Sequence, residues 1–307
     1  MRLILFAFAA AALLTAPLAA AQPPAPAAGP MVKAGTTVKL SDHVYAIPDA
    51  SVPGVPNVGI IVGTNGVLVV DTGMGAPNGR TVLAEVQKVG AGKKLYLVTT
   101  HVHPEHDLGA QAFPASTTLI RNTAQVAEIA EDGMRTADAF RGRSEVNKRL
   151  LEGAQFRKAD VTFDTTHDLD LGGVKVRLIA LGPNHTPGDT AIFVEGDRVL
   201  FSGDVAMRAM PAFASGKSSL TQWLASLDRL EALQPRIVVP SHGPNGDAAY
   251  IQTYRRYLTR IRDRTAALKR EGKTEAQVLE TLTVELKPEF DTGRLPAAVR
   301  SAYAEAK

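Results

Sequence analysis

Between Thr99 and Gly109 the chain reads Thr-Thr-His-Val-His-Pro-Glu-His-Asp-Leu-Gly, which puts His101, His103, Glu105 and His106 within six positions. Imidazole and carboxylate are the side chains that Zn²⁺ and similar divalent ions take as ligands. His101 and His103 stand two apart, so in an extended segment they face the same way. Glu105 and His106 point elsewhere, which suits a second ion beside the first. A lone histidine is usually a surface residue or one satisfied in a core. Only seven occur in the chain, so three within six positions argue for a metal site.

Two further histidines have comparable surroundings. His185 follows the apolar run Val174–Ile179, and His242 follows Ile237-Val238-Val239. His43 and His167 fall outside the pattern and read as ordinary surface residues. Carboxylates end two more apolar runs, at Val70-Asp71-Thr72-Gly73 and at Ser202-Gly203-Asp204. Asp71 can cap a turn or accept a hydrogen bond from a ligand histidine or its loop. The set His101, His103, Glu105, His106, His185, Asp204 and His242 suits two metal ions sharing a bridge. Neutral imidazoles alone would leave two dications uncompensated. Two carboxylates and a bridging hydroxide largely neutralise them.

The elements that must position these residues are legible as apolar runs and their punctuation. Leu95–Val98 is a short buried strand leading into the His-rich loop. Val38–Leu40 and Val44–Ile47 read as edge strands. Val58–Val62 and Val67–Val70 flank Thr64-Asn65-Gly66, a hairpin signal because Asn and Gly accept positive φ. Thr81–Val89 reads as a helix. The polar stretch Thr123–Leu151 reads as a solvated helical insertion, placed so that it could cover the site. Strands resume at Val161–Phe163, Leu169–Leu171 and Val174–Ile179, and Ala191–Val194 with Val199–Phe201 forms a second hairpin. Ser218 or Ser219 can cap a helix whose core face is Leu220, Trp223, Leu224, Leu227 and Leu230, which makes Trp223 a packing residue. Tyr250–Arg270 is a long helix with a basic face, read as solvated, with an anionic partner as the alternative. Shorter helices follow at Glu275–Leu286 and Ala297–Ala306. Strands with helices occur twice over, with candidate ligands at strand ends in both halves. That order predicts two sheets packed face to face with helices outside.

Met1–Ala21 reads as a signal peptide: Arg2, an apolar run from Leu3 to Leu14, and Ala19-Ala20-Ala21 before Gln22. Gln22–Pro30 is a Pro/Ala-rich disordered lead-in. Residues 31–307 form one domain, with C-terminal helices from about residue 246. Its expected location is the periplasm or outside the cell. Loss of Arg2 lowers the net charge from +3 to +2, too mild a balance to imply nucleic acid. There is no cysteine, which removes thiolate ligands and any cysteine nucleophile. No segment beyond the signal peptide is apolar enough to cross a bilayer. The expected partner is a small-molecule substrate, and nothing in the sequence sets an oligomeric state.

The motifs from Asn57 to about Asn245 resemble the metallo-β-lactamase superfamily, whose fold is a four-layer αββα sandwich of the α/β class. Its His-x-His-x-Asp-His signature is matched by His101-Val102-His103-Pro104-Glu105-His106, with Glu105 one methylene longer than the usual aspartate. Its strand-end aspartate matches Asp71, its third ligand loop His185-Thr186-Pro187-Gly188-Asp189, its bridging aspartate Asp204 and its last histidine His242. The resemblance implies that His101, His103 and His185 hold one metal, that Glu105, His106 and His242 hold another, and that Asp204 lies between. Zinc is the implied ion, as one or two copies, with iron or manganese as alternatives. The implied activity is hydrolysis: a metal-bound hydroxide attacks an ester, thioester, lactone or lactam carbonyl, while Glu105 or Asp204 relays the proton. Weak β-lactamase activity fits export. Asp204, however, stands where the β-lactamases of this superfamily carry cysteine or serine, and the ligand set is closer to that of glyoxalase II. Two alternatives stay open. One is an oxidoreductase like the persulfide dioxygenases of this fold, with a single iron held by His101, His185 and Asp204. The other is a metal-bearing accessory protein without turnover.

Overall fold

The computed structural model describes residues 29–207 and 213–307. The expected signal peptide, and nearly all of the expected Pro/Ala-rich lead-in, lie outside the described residues.

The first sheet has seven strands in chain order: β1 (Val38–Lys39), β2 (Val44–Ile47), β3 (Val58–Val62), β4 (Gly66–Val70), β5 (Lys94–Val98), β6 (Thr118–Asn122) and β7 (Val161–Phe163). Pairing is antiparallel from β1 to β4 and parallel from β4 to β7. The two N-terminal runs are therefore not both edges. β2 lies between β1 and β3 with Val44, Ala46 and Ile47 buried, so of these two runs the two-residue β1 alone is an edge. Keeping an edge that short blunts its capacity to pair with other chains.

The second sheet is built from β8 (Thr166–Asp170), β9 (Lys175–Ala180), β10 (Thr190–Val194), β11 (Val199–Gly203) and β12 (Ile237–Pro240), ordered β12-β11-β10-β9-β8. Only β11 and β12 pair in parallel. β8 starts earlier than its apolar residues indicate, so His167 lies within a strand, with its ring 6.0 Å from that of Phe163. Residues such as Ile61, Leu68 and Val98 of the first sheet meet Val176, Leu178 and Ile192 of the second in a common core. Gly59 allows this approach: a Cβ there would come within 2.5 Å of the Phe201 ring on β11.

Helices cover both outer faces. α1 (Gly75–Gly90) lies on the first sheet, its Val82 and Val86 buried against Val67, Val69 and Leu97. It begins six residues before Thr81, with no side-chain hydrogen bond capping its start. Gly79 on α1 meets the Gly109 carbonyl so closely that a Cβ would stand 2.0 Å from it. After β5 come the single turn α2 (Pro104–Asp107) and, beyond β6, α3 (Thr123–Glu128), a π-helical turn (Ile129–Gly133), α4 (Met134–Arg141) and α5 (Glu145–Leu150). The α4–α5 segment has an apolar cluster of its own, in which Phe140, Leu150 and Leu151 pack on Met74 and Leu108.

The second sheet is covered by α6 (Leu220–Ala232), α7 (Ala249–Arg270), α8 (Glu275–Leu286) and α9 (Leu295–Glu305). Ser219 caps α6 by accepting from Gln222 N, and Trp223 is fully buried with its indole N–H donating to Val205 O at 2.8 Å. The basic face of α7 is matched in part from within the fold: Arg255 pairs with Asp228, Arg260 with Glu289 and Arg264 with Glu285. No helix among the described residues is long and apolar enough to cross a membrane. The four layers run helices, sheet, sheet, helices, which is the αββα sandwich expected.

Candidate metal centre

All of the candidate ligands come from segments that follow strand ends, loops except for Glu105 and His106 on α2, and these segments converge from both sheets. His101, His103, Glu105 and His106 follow β5, and His185 lies between β9 and β10. Asp204 follows β11 and His242 follows β12. The structure brings all seven together. One ligand atom from each of His101, His103 and His185 lies within 4.8 Å of the others, and the same holds for His101, His106 and Asp204, and for Glu105, His106 and His242. His43 is remote from this cluster, where its Nδ1 meets Asp197 at 2.9 Å. His167 is on β8.

Ring orientation is set from outside the cluster. The Asp71 carboxylate accepts from Thr100 N at 2.7 Å, from Thr100 Oγ1 at 2.9 Å and from His106 Nδ1 at 2.8 Å. His106 Nε2 is thereby turned inward, where it is buried with no hydrogen-bond partner. Thr100 Oγ1, having donated to Asp71, is left to accept from His101 Nδ1 at 3.2 Å, which turns His101 Nε2 inward too. His242 Nδ1 donates to Val55 O at 2.9 Å. Such outer contacts fix the tautomer of a metal-binding imidazole. Asp71 performs this at φ +66°, a left-handed conformation that a non-glycine residue adopts only when its surroundings impose it.

The inner atoms suit a cation and little else. His101 Nε2 and His103 Nδ1 are 3.1 Å apart, and His185 Nε2 is 3.2 Å from the same His103 nitrogen and 3.3 Å from Asp204 Oδ2. Tetrahedral ligands at Zn–N distances of about 2.0–2.1 Å stand roughly 3.3 Å from one another. Glu105 Oε2 and Asp204 Oδ1 are also buried without partners. Buried polar atoms are nearly always satisfied, so a cluster of unsatisfied ones facing each other fits a bound ion.

The electrostatics agree for His101 and His103. Burial, together with the neighbouring imidazoles, holds His101 and His103 well below the usual histidine value. Both rings are therefore neutral and able to ligate. Burial opposes charge on His106 as well, but the Asp71 carboxylate and its hydrogen bond outweigh it and raise His106 to about 9. Burial pushes Glu105 upward, against the pull of His106. Asp204 is held below the usual carboxylate range, because His185, His242, His106 and His103 together overcome its burial.

Residues 51–242 match the family model described as the metallo-beta-lactamase superfamily. The chain belongs to the metallo-beta-lactamase superfamily. Superfamily members bind metal ions, and the donor set here fits one. Over 215 residues the chain is 28% identical to a linear primary-alkylsulfatase from Pseudomonas sp. (strain ATCC 19151), covering 60% of this chain and 40% of that protein. Among solved structures, the stereoselective inverting sec-alkylsulfatase Pisa1 from Pseudomonas sp. superposes with a TM-score of 0.70 at 16% identity, over 87% of this chain and 49% of Pisa1. A metallo-beta-lactamase family protein from Thermus thermophilus superposes with a TM-score of 0.60 at 20% identity, over 86% of this chain and 93% of that one. The chain thus spans half or less of the two alkylsulfatases. Both structural likenesses bear on the fold.

Several residues that hold the candidate site in place were not singled out by sequence. Asp107, directly after His106, forms a fully buried ion pair with Arg121 on β6, and Arg121 also donates to Thr99 Oγ1 at 2.9 Å. The signal was a charged residue inside the apolar run Leu119-Ile120-Arg121. Asp189 accepts from Thr186 N and Oγ1, closing the His185 loop on itself. Glu128 on α3 braces the same loop by accepting from Gly188 N at 3.0 Å. Asn57 donates to Pro240 O and Gly243 O, and Asp49 accepts from Gly243 N, so the segment before β3 shapes the His242 loop. Apart from the turn at Asp189, these contacts join residues from separate elements, beyond the reach of any local pattern.

Proposed function

We propose that this protein is an exported, metal-dependent hydrolase of small ester-type substrates, with two cations held by the seven side chains. The observation that carries this reading is the convergence of His101, His103 and His185 at 3.1–3.2 Å, next to Glu105, His106 and Asp204 atoms that are buried and unpaired. His101, His103 and His185 would hold one ion and Glu105, His106 and His242 the other, with Asp204 between them. Imidazole-rich sites of this kind suit zinc. A divalent cation there supplies Lewis acidity, lowering the pKa of water to about 7 and polarising the bond to be broken. The chain's own part is to fix the geometry and to handle the proton. Asp71 locks His106 directly and His101 through Thr100. Glu105 Oε2 and Asp204 Oδ1 are the carboxylate oxygens free to take a proton from the attacking water. The single-iron alternative leaves Glu105 Oε2 and His106 Nε2 buried and unused, so it accounts for less of the site.

The alkylsulfatase relative supports adding sulfate monoesters to carboxylic esters, thioesters, lactones and lactams as candidate substrates. The test joins elemental analysis of the mature protein with a turnover panel of these classes, including decyl sulfate. Two zinc ions with turnover of at least one ester class is the expected result; a single zinc with turnover would keep the hydrolase and refute the second position. One iron with oxygen uptake, or bound metal with no turnover across the panel, would overturn the hydrolase reading. Sequencing the N-terminus of periplasmic protein should find Gln22 or a near neighbour. An intact Met1 would refute export by signal cleavage.

A further inference from the structure

Of the seven side chains, only His103 and His242 are partly exposed, so the cluster meets solvent on their side. The α4–α5 segment stands beside His103. The Phe140 ring, itself buried, lies 5.4 Å from the His103 ring, centroid to centroid. On Phe140 rests the guanidinium of Arg143, its Cζ 3.4 Å from the ring centroid. The Arg143 charge therefore stands no farther from His103 than these two spans laid end to end. A cation stacked on an aromatic face gains a modest attraction and, more usefully, a fixed position.

What Arg143 lacks is an anion. Its neighbour Arg141 pairs with Asp138 and donates to Leu151 O. Among the described residues no carboxylate pairs with Arg143, whose side chain is exposed. Arginine offers five donors in a planar fork that matches carboxylate, phosphate and sulfate oxygens, and one left unpaired beside a reaction centre is free to grip them.

We propose that Arg143, held on Phe140 at the rim beside His103, is a specificity-determining residue that binds the anionic group of the substrate. This rests on the hydrolase reading and deepens it, because it selects among the ester classes. A sulfate monoester keeps a negative charge on the group being attacked, whereas a neutral ester or lactone offers the guanidinium nothing. The charge on Arg143 also draws anions to the mouth of the site, an effect that salt weakens.

The test uses the zinc-loaded full-length mature protein and two probes: decyl sulfate for turnover and decanesulfonate, which has no ester bond to hydrolyse, for binding. Arg143→Gln should weaken decanesulfonate binding by about 10- to 100-fold, the range for losing a charge-assisted hydrogen bond. KM for decyl sulfate should rise by a similar factor, with kcat changing much less. Arg143→Lys should recover part of the binding. Zinc content and Tm should match the wild type in both variants, since Arg143 is neither a ligand nor buried. Wild-type binding should fall with added sodium chloride more steeply than Arg143→Gln binding. If Arg143→Gln binds decanesulfonate within twofold of the wild type, or if the wild type does not bind it, the proposal is wrong. The two readings fail separately. A wild type that binds decanesulfonate through Arg143 but hydrolyses nothing keeps the anion site and loses the hydrolase, and one that turns over neutral esters without binding the sulfonate does the reverse.

Discussion

At the scale of single residues, the rings of His101, His106 and His242 each have one nitrogen committed outward, so removing a ring of the centre should leave an incomplete coordination shell. His101→Ala and His185→Ala should each lose metal on dialysis, with His43→Ala and His167→Ala retaining it. Metal stoichiometry by elemental analysis checks this, and equal retention in all four variants would refute the ligand assignment. Glu105 poses a sharper question. The superfamily signature alone argues that Glu105→Asp should restore a better site. The geometry argues the opposite. Glu105 lies on α2 just after Pro104, and its carboxylate already lies within 4.8 Å of the His106 and His242 ligand atoms. Removing a methylene draws the oxygen back by about 1.5 Å, and a misplacement near 1 Å can cost ~10²-fold in rate. Glu105→Asp should therefore lower both kcat/KM and the affinity for the second ion. A gain in both would mean that the longer side chain is poorly adapted here.

At the scale of elements, the loop after β5 is held by what lies beneath it. Asp107 and Arg121 are fully buried, and Arg121 donates to Asp107 Oδ1 at 2.9 Å. Breaking a buried pair from one side strands a charge, at about 3–5 kcal/mol. Arg121→Met should lower Tm by roughly 10 °C, and adding Asp107→Asn should recover part of the loss, because the stranded charge is then gone. Strictly additive losses in thermal denaturation would show that the two side chains act independently. On the other side of the centre, burial raises Glu128 to about 7, against the hydrogen bonds from Gly188 and Thr186. The folded state therefore prefers Glu128 protonated. Its contribution to stability is lost as the pH rises from the usual carboxylate range through about 7. Glu128→Gln should match the wild type near pH 4 and exceed it in Tm near pH 8. The element boundaries explain what sequence can and cannot supply. Strands β3, β4, β5, β10 and β11 were legible because they are apolar runs bounded by turn residues. The start of α1 was not, because no capping side chain marks it and Gly79 is there for contact with Gly109. β2 read as an edge because its partner β1 is only two residues long.

At the scale of the whole molecule, the convergence of the candidate side chains at strand ends was legible, but the contacts that orient them were not. Asp71 could be read either as a turn cap or as the partner of a ligand histidine, and the structure has it bonding Thr100 and His106 at once. Arg143 gave no signal, since its meaning comes from stacking on Phe140 beside His103, a residue distant in the sequence. The centre has a mechanical consequence as well. The β5 loop belongs to the first sheet, whereas His185, Asp204 and His242 belong to loops of the second. A cation held by both sets would tie the two sheets together at one end of their shared core. Ligands that bind only the folded state stabilise it by mass action, about 4 kcal/mol at a thousand times Kd. With no cysteine in the chain, no disulfide can provide such a tie. Chelation should therefore lower Tm by roughly 10 °C in the wild type and far less in His185→Ala, where one side of the tie is already weakened. Hydrogen exchange should locate the loosening: amides of 99–106 and 182–189 should lose protection on chelation, with those of β3 nearly unchanged. If Tm is the same with and without metal, or if protection falls evenly over both sheets, the ion does not act as a bridge between them.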